Sequence, residues 1–241
     1  MQISKKKWFI IQSGSAPVYS KPTFNSSWLT ESIYGESCSI IKRNKDWLNI
    51  KCEDGYVGWI HSFYGIQTVK KNSPKFIVAY PNELGLFSGS HPFGAMLNRK
   101  FTGTIKLNEP LKINKLNTIL KSLIGIPYRW GGKSSLGFDC SGFTQTVLKM
   151  FGLEIPRDSK DQFSYLDDYR VSLFDANPGD LHFFSNGKKV NHVGLSIGGP
   201  ELIHAQGFVK KDSLDHKKKS FNKNLLDIYH STYSIESKLQ Q

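Results

Sequence analysis

The sequence predicts an α+β chain, with a β-rich front half and a back half in which helices precede an antiparallel sheet. Three observations predict it. Short alternating runs separated by turn residues fill the stretch from Lys6 to about Val69, as in Ser39-Ile40-Ile41-Lys42 and Trp47-Leu48-Asn49-Ile50-Lys51. After Pro110 the spacing becomes helical: Ile113, Leu116, Ile119, Leu120, Leu123 and Ile124 share one face, and Gly125 ends it. Beyond a second helical run, strands alternate with turns: Leu181-His182-Phe183-Phe184, then Val193–Ile197 and Leu202–Ala205.

The front elements predict a small barrel or sandwich over residues 1–70. Lys70-Lys71-Asn72-Ser73-Pro74 reads as a linker, and residues 71–110 as a linker region or a weaker second copy, with strands at Gly85-Leu86-Phe87-Ser88 and Thr102-Gly103-Thr104-Ile105-Lys106. Residues 111–241 make the mixed domain. Its second helix has Asp139 as N-cap, apolar Phe143, Val147, Leu148 and Phe151, and Gly152 as its stop.

The chain has 241 residues, 39% hydrophobic and 22% charged, which excludes a disordered polymer and allows more than one core. Lys+Arg 32 against Asp+Glu 20 leaves +12, part of it in the run Lys210, Lys211, His216, Lys217, Lys218 and Lys219, which reads as a solvated loop. No aromatic residues alternate with these lysines as a base-stacking platform requires, so nucleic acid is not expected as a partner. The apolar run Trp8-Phe9-Ile10-Ile11 is shorter than the roughly 7–15 residues of a signal-peptide core, and no stretch is long enough to span a bilayer. A cytoplasmic protein without a membrane partner is the expectation.

Three cysteines do not make a disulfide framework. If Asn44-Lys45-Asp46 turns a hairpin, Cys38 and Cys52 lie across from one another; in a reducing compartment two buried thiols are favoured. Cys140 stands at the first turn of the second helix, where unpaired N–H groups and the helix dipole should stabilise a thiolate and lower its pKa. It is a candidate nucleophile, or a small buried hydrophobe. His192 and His204 flank the turn Gly198-Gly199-Pro200 at even separation, which puts both side chains on one face of a hairpin, opposite or one diagonal step apart. A cysteine peptidase needs such a set, with His192 as base and His204 as the group that orients it. No CxxC or HxxxH spacing supports a metal site, and no cofactor is implied.

The ordered segments Pro127-Tyr128-Arg129-Trp130-Gly131-Gly132, Phe138-Asp139-Cys140-Ser141-Gly142-Phe143, Pro156-Arg157-Asp158-Ser159, Pro178-Gly179-Asp180-Leu181, Asn191-His192-Val193-Gly194-Leu195 and Ile203-His204-Ala205 resemble the NlpC-type cell-wall cysteine peptidases of the papain-like superfamily. The front half resembles the bacterial SH3-like domains that precede this catalytic domain in the γ-D-glutamyl-L-diamino-acid endopeptidases of murein peptide recycling. Its Cys52-Glu53-Asp54-Gly55-Tyr56-Val57-Gly58-Trp59 is similar to the hairpin those enzymes place over the active site.

The resemblance implies a papain-like catalytic domain behind one or two SH3-like barrels, acting on murein-derived tri- or tetrapeptides with a free N-terminal L-Ala. It makes Cys140 the nucleophile, with the backbone N–H of Cys140 or Ser141 and the Tyr128 hydroxyl holding the oxyanion. Tyr56, Asp139 and Ser141 match positions that recognise the substrate ammonium, Glu36 is a further carboxylate for it, and Asp158 and Ser159 match substrate contacts with Arg157 in support. Trp59 and Trp130 read as packing residues. Two competing readings are an exported wall-degrading endopeptidase or lysin and a non-catalytic wall-binding module.

Overall fold

The computed structural model describes residues 7–166, 169–187 and 189–239. The chain gathers into two compact units, Met1–Glu109 with Trp130–Leu136, and Pro110–Arg129 with Gly137–Gln241. The segment 130–136, read in sequence as part of the back domain, belongs to the front unit.

In the first unit, β1 (Trp8–Ile11), β2 (Ser15–Tyr19), β3 (Trp28–Ile33), β4 (Ser37–Asn44), β5 (Trp47–Lys51), β6 (Val57–His61) and β7 (Gly65–Thr68) form one sheet in the order β3-β2-β6-β5-β4-β1-β7. Period-two alternation points Phe9, Ile11, Val18, Leu48, Ile50 and Ile60 into its core. The β4–β5 hairpin turns where predicted, with Lys45 in the left-handed region at φ 51°. A bulge between Ile40 and Lys42 shifts the register to Ser39 opposite Lys51, which sets Cys38 and Cys52 side by side. Both are free, buried thiols, 3.5 and 3.4 Å from the Ser32 hydroxyl.

Residues 71–109 extend this unit. A small sheet of β8 (Phe76–Val78), β9 (Met96–Leu97) and β10 (Thr104–Lys106) packs Val78, Ala95 and Leu97 against Ile33 of β3. The lysine-rich stretch before it is pinned and does not hang as a tether: Asn72 donates its backbone N–H to the Ser37 hydroxyl at 3.0 Å and its side-chain amide to the Gly35 carbonyl at 2.9 Å. Gly85–Ser88 forms no strand, because the Asn82 side chain accepts from the N–H of Leu84 and of Leu86 and closes a turn there.

The second unit begins with α1 (Leu116–Leu123), which buries Leu116, Ile119, Leu120 and Leu123 and leaves the flanking Ile113 and Ile124 exposed. β12 (Gly137–Phe138) leads into α2 (Cys140–Lys149); β11 (Lys133–Ser134) lies in the first unit. After α3 (Ser159–Tyr165) come β13 (Arg170–Val171), β14 (Leu181–Ser185), β15 (Val190–Gly198), β16 (Glu201–Gln206), β17 (Phe208–Ser213), α4 (Lys223–Asp227), β18 (Tyr229–Tyr233) and α5 (Glu236–Leu239). The six strands form an antiparallel sheet in the order β13-β18-β14-β15-β16-β17, with α2 packed on β15 and β16. Lys210 and Lys211 therefore sit on a strand, not in the solvated loop expected of them. β17 is the last strand of the sheet, and its outer side bonds to neighbouring loops, the Val209 N–H to the Ile126 carbonyl at 2.8 Å and the Ser213 N–H to the Ser220 carbonyl at 2.8 Å. Among the described residues no helix is long and apolar enough to cross a membrane.

Candidate active site

The site is built where α2 meets the β15–β16 hairpin. Asp139 caps α2, its Oδ1 accepting from the Gly142 N–H at 2.7 Å, and this sets Cys140 on the first turn. Arg157 grips the same carboxylate as a fork, Nη2 to Oδ2 at 2.6 Å and Nη1 to Oδ1 at 2.9 Å, and also donates to the Ser141 hydroxyl at 3.1 Å. Arg157 was read only as a support; it is the buried counter-ion of the cap.

Cys140 does not have the depressed pKa that its helix position predicts. Burial and then the Asp139 charge push the thiol up to about 12, against the downward pull of the Val193 N–H, Arg157 and the Ser141 N–H. The helix end contributes partial charges, while desolvation acts on the whole anion. The Val193 N–H at the sulfur places Cys140 beside β15, one residue from His192.

On the hairpin, Leu195 pairs with Ile203, which sets Gly194 opposite His204 and His192 one diagonal step away. His192 Nε2 meets His204 Nδ1 at 2.7 Å, and Phe184 on β14, directly opposite His192, packs its ring 5.4 Å from the imidazole. Burial, then His204 and Lys210, lower His192 to about 3, with Asp212 opposing. The thiol is thus pushed toward its protonated form and the imidazole toward its neutral one.

Sequence reasoning missed the next member. His204 Nε2 lies 3.0 Å from Asp212 Oδ2, which also accepts from the Asn222 amide at 2.7 Å and has the Lys210 ammonium at 3.5 Å. Burial pushes Asp212 up, and the bonds from His204 and Asn222 outweigh it, leaving the carboxyl below its ordinary value. The signal was available: Asp212 is an acidic residue inside a lysine run, in even phase with His204 about Gly207.

Tyr128 is positioned by its backbone, its N–H bonded to the Gly207 carbonyl at 2.8 Å, while the next residue, Arg129, bonds the Phe138 carbonyl at 2.9 Å. Burial, then the charges of Cys140 and Asp139, push its hydroxyl up to about 12, so it is a protonated donor at neutral pH. Tyr128, Asp139, Cys140, Ser141, His192 and His204 therefore share one neighbourhood of the second unit. Asp158 stands half-buried at the start of α3, with Ser159 as that helix's first residue.

Tyr56 and Glu36 belong to the first unit. Tyr56 follows the Asp54-Gly55 turn, half-buried against the barrel core. Glu36 was expected to meet a substrate ammonium; it is buried, accepts from the Ile33 N–H at 3.1 Å, and pairs with Lys133 at 3.0 Å. Burial pulls Lys133 down, but Asp54 at 3.2 Å and Glu36 outweigh it and raise its pKa. The carboxylate expected for a ligand is held by the protein's own cation. Trp130 donates its indole N–H to the Trp28 carbonyl at 3.0 Å while its ring stays exposed, so packing is not its role.

The profile of the NlpC/P60 family matches residues 125–229, and that of the bacterial dipeptidyl-peptidase Sh3 domain matches residues 18–62. The chain is similar to the Probable endopeptidase NlpC of Escherichia coli (strain K12), 39% identical over 106 residues that cover 42% of this chain and 68% of that one. It belongs to the NlpC/P60 family. Membership makes this chain a hydrolase of the cell-wall peptidase class. It is also similar to the Gamma-D-glutamyl-L-lysine dipeptidyl-peptidase of Bacillus subtilis (strain 168), 29% identical, covering 73% of this chain and 71% of that one. The crystal structure of an NlpC/P60 family protein from Bacillus cereus ATCC 10987 shares the fold, with a TM-score of 0.77, 20% identity, and coverage of 94% of this chain and 99% of that one.

Proposed function

We propose that the protein is a cysteine peptidase that hydrolyses the γ-D-glutamyl-L-diamino acid bond of murein-derived tri- or tetrapeptides carrying a free N-terminal L-Ala. The observation that carries the reading is the hydrogen-bonded pair His192–His204 beside Cys140 on the first turn of α2. The front-unit match and the relative's name support the choice of bond. In this reading His192 Nδ1, the nitrogen turned from His204, takes the thiol proton as Cys140 attacks the amide carbonyl of the γ-linked glutamate. Backbone N–H groups of Cys140 or Ser141 and the Tyr128 hydroxyl hold the oxyanion. His192 returns the proton to the leaving amine, and water then hydrolyses the thioester.

Asp139 and Ser141 serve the ammonium end of the substrate, and Asp158 and Ser159 the remainder. A cytoplasmic role in recycling wall peptides accords with this chemistry. Mass spectrometry on defined peptides tests it: L-Ala-D-Glu should appear from the free tripeptide and not from its N-acetylated form, and Cys140→Ala should release nothing. Equal cleavage of both peptides removes the requirement for a free amine, and clearing of intact wall sacculi favours an endopeptidase of the wall itself.

A further inference from the structure

We infer that Asp212, seated by Asn222 and Lys210, is the positioning residue that fixes the protons on both active-site histidines, extending the constellation to Cys140–His192–His204–Asp212. The inference rests on the proposed cysteine-peptidase reading and adds a residue on the edge strand β17, beyond the ordered segments that carry the sequence resemblance.

The argument is one of donors and acceptors. An ionised carboxylate only accepts, so the nitrogen facing Asp212 Oδ2, His204 Nε2 at 3.0 Å, carries a proton. In neutral His204 the other nitrogen, Nδ1, is then bare and can only accept. Its partner at 2.7 Å, His192 Nε2, must donate. The proton of neutral His192 is thereby assigned to Nε2, and Nδ1 is left as the base for Cys140. One carboxylate two residues removed dictates which face of His192 is basic. When His192 takes the thiol proton, the imidazolium keeps its Nε2–H bond to His204, and no proton passes on to Asp212.

The surroundings of His204 hold this state. Its ring is buried, Gly194 lies opposite on β15 and Lys210 opposite on β17, with Asp212 on the diagonal. Lys210, 3.5 Å from Asp212, keeps the carboxylate charged, and the Asn222 amide at 2.7 Å fixes its orientation. Part of the basic run thus tunes the reaction centre.

The full chain and its Asp212→Asn and Asp212→Glu variants test this, with imidazole nitrogen-15 spectra as a readout independent of substrate. The wild-type resting enzyme should show His192 and His204 both protonated at Nε2. Asp212→Asn should give mixed tautomers and lower kcat by roughly 10- to 100-fold at little changed KM, and Asp212→Glu should restore the tautomers and part of kcat. Wild-type His204 protonated at Nδ1 overturns the inference whether or not the variants fold, and so does Asp212→Asn with unaltered tautomers or kcat. Should the tautomers respond as expected while no γ-D-glutamyl peptide is cleaved, the substrate reading fails and the role of Asp212 stands.

Discussion

The Asp139–Arg157 fork sits at the point where one residue serves two ends. Asp139 caps the helix that begins at Cys140, and its charge is among the forces that hold the thiol protonated. Replacing Arg157 by Met leaves a buried carboxylate without its cation, which costs about 3–5 kcal/mol in comparable cases. Urea unfolding should register that loss, and alkylation of Cys140 by iodoacetamide should slow as the thiol is pushed further up. His182 gives a second residue-scale expectation. It is fully buried between the Thr232 hydroxyl at 2.7 Å and the Gly199 carbonyl at 3.1 Å, and burial lowers it to about 4. Between the ordinary value near 6.5 and pH 4 the unfolded chain binds a proton that the folded chain refuses. Stability therefore falls as pH drops through that window, by about 3 kcal/mol at its lower end. Urea midpoints at pH 7 and 4.5 should show the fall, and His182→Gln should reduce it.

At the scale of elements, the β15–β16 hairpin is where sequence and structure agree most closely. The twelve-residue spacing of His192 and His204 about a Gly-Gly-Pro turn fixes their shared face, because side-chain direction in a strand repeats every two residues. Asp139 as a cap and Gly152 as a stop were legible because caps are local chemistry. Three features were not. The β4 bulge, the edge strand bearing Lys210, and the burial that raises Cys140 depend on what packs against each segment, and a local window carries no such information. Gly194 shows the same hairpin's tolerance: a Cβ there would lie 2.7 Å from Leu202 Cδ1 and 3.0 Å from His204 Cβ. Gly194→Ala should therefore displace His204 and lower kcat at least tenfold, with a smaller fractional effect on thermal stability, measurable by steady-state kinetics beside calorimetry.

For the whole molecule, the two-part organisation was readable from the change of period near Pro110, but the membership of residues 130–136 was not. Lys133 reads as one more surface lysine until its partners from distant parts of the chain, Glu36 and Asp54, are in place. The peptide runs through the first unit, into the second, back for seven residues, and out again. A cut after Glu109 accordingly does not divide the molecule at a seam. The shorter fragment, residues 1–109, retains buried Glu36 and half-buried Asp54 without their ammonium and should melt well below the same unit in the full chain, as differential scanning calorimetry would show; supplying a peptide of residues 130–136 should recover part of the difference. Gene fusion or recombination at that boundary inherits a front unit stripped of the Lys133 ammonium that Glu36 and Asp54 close upon.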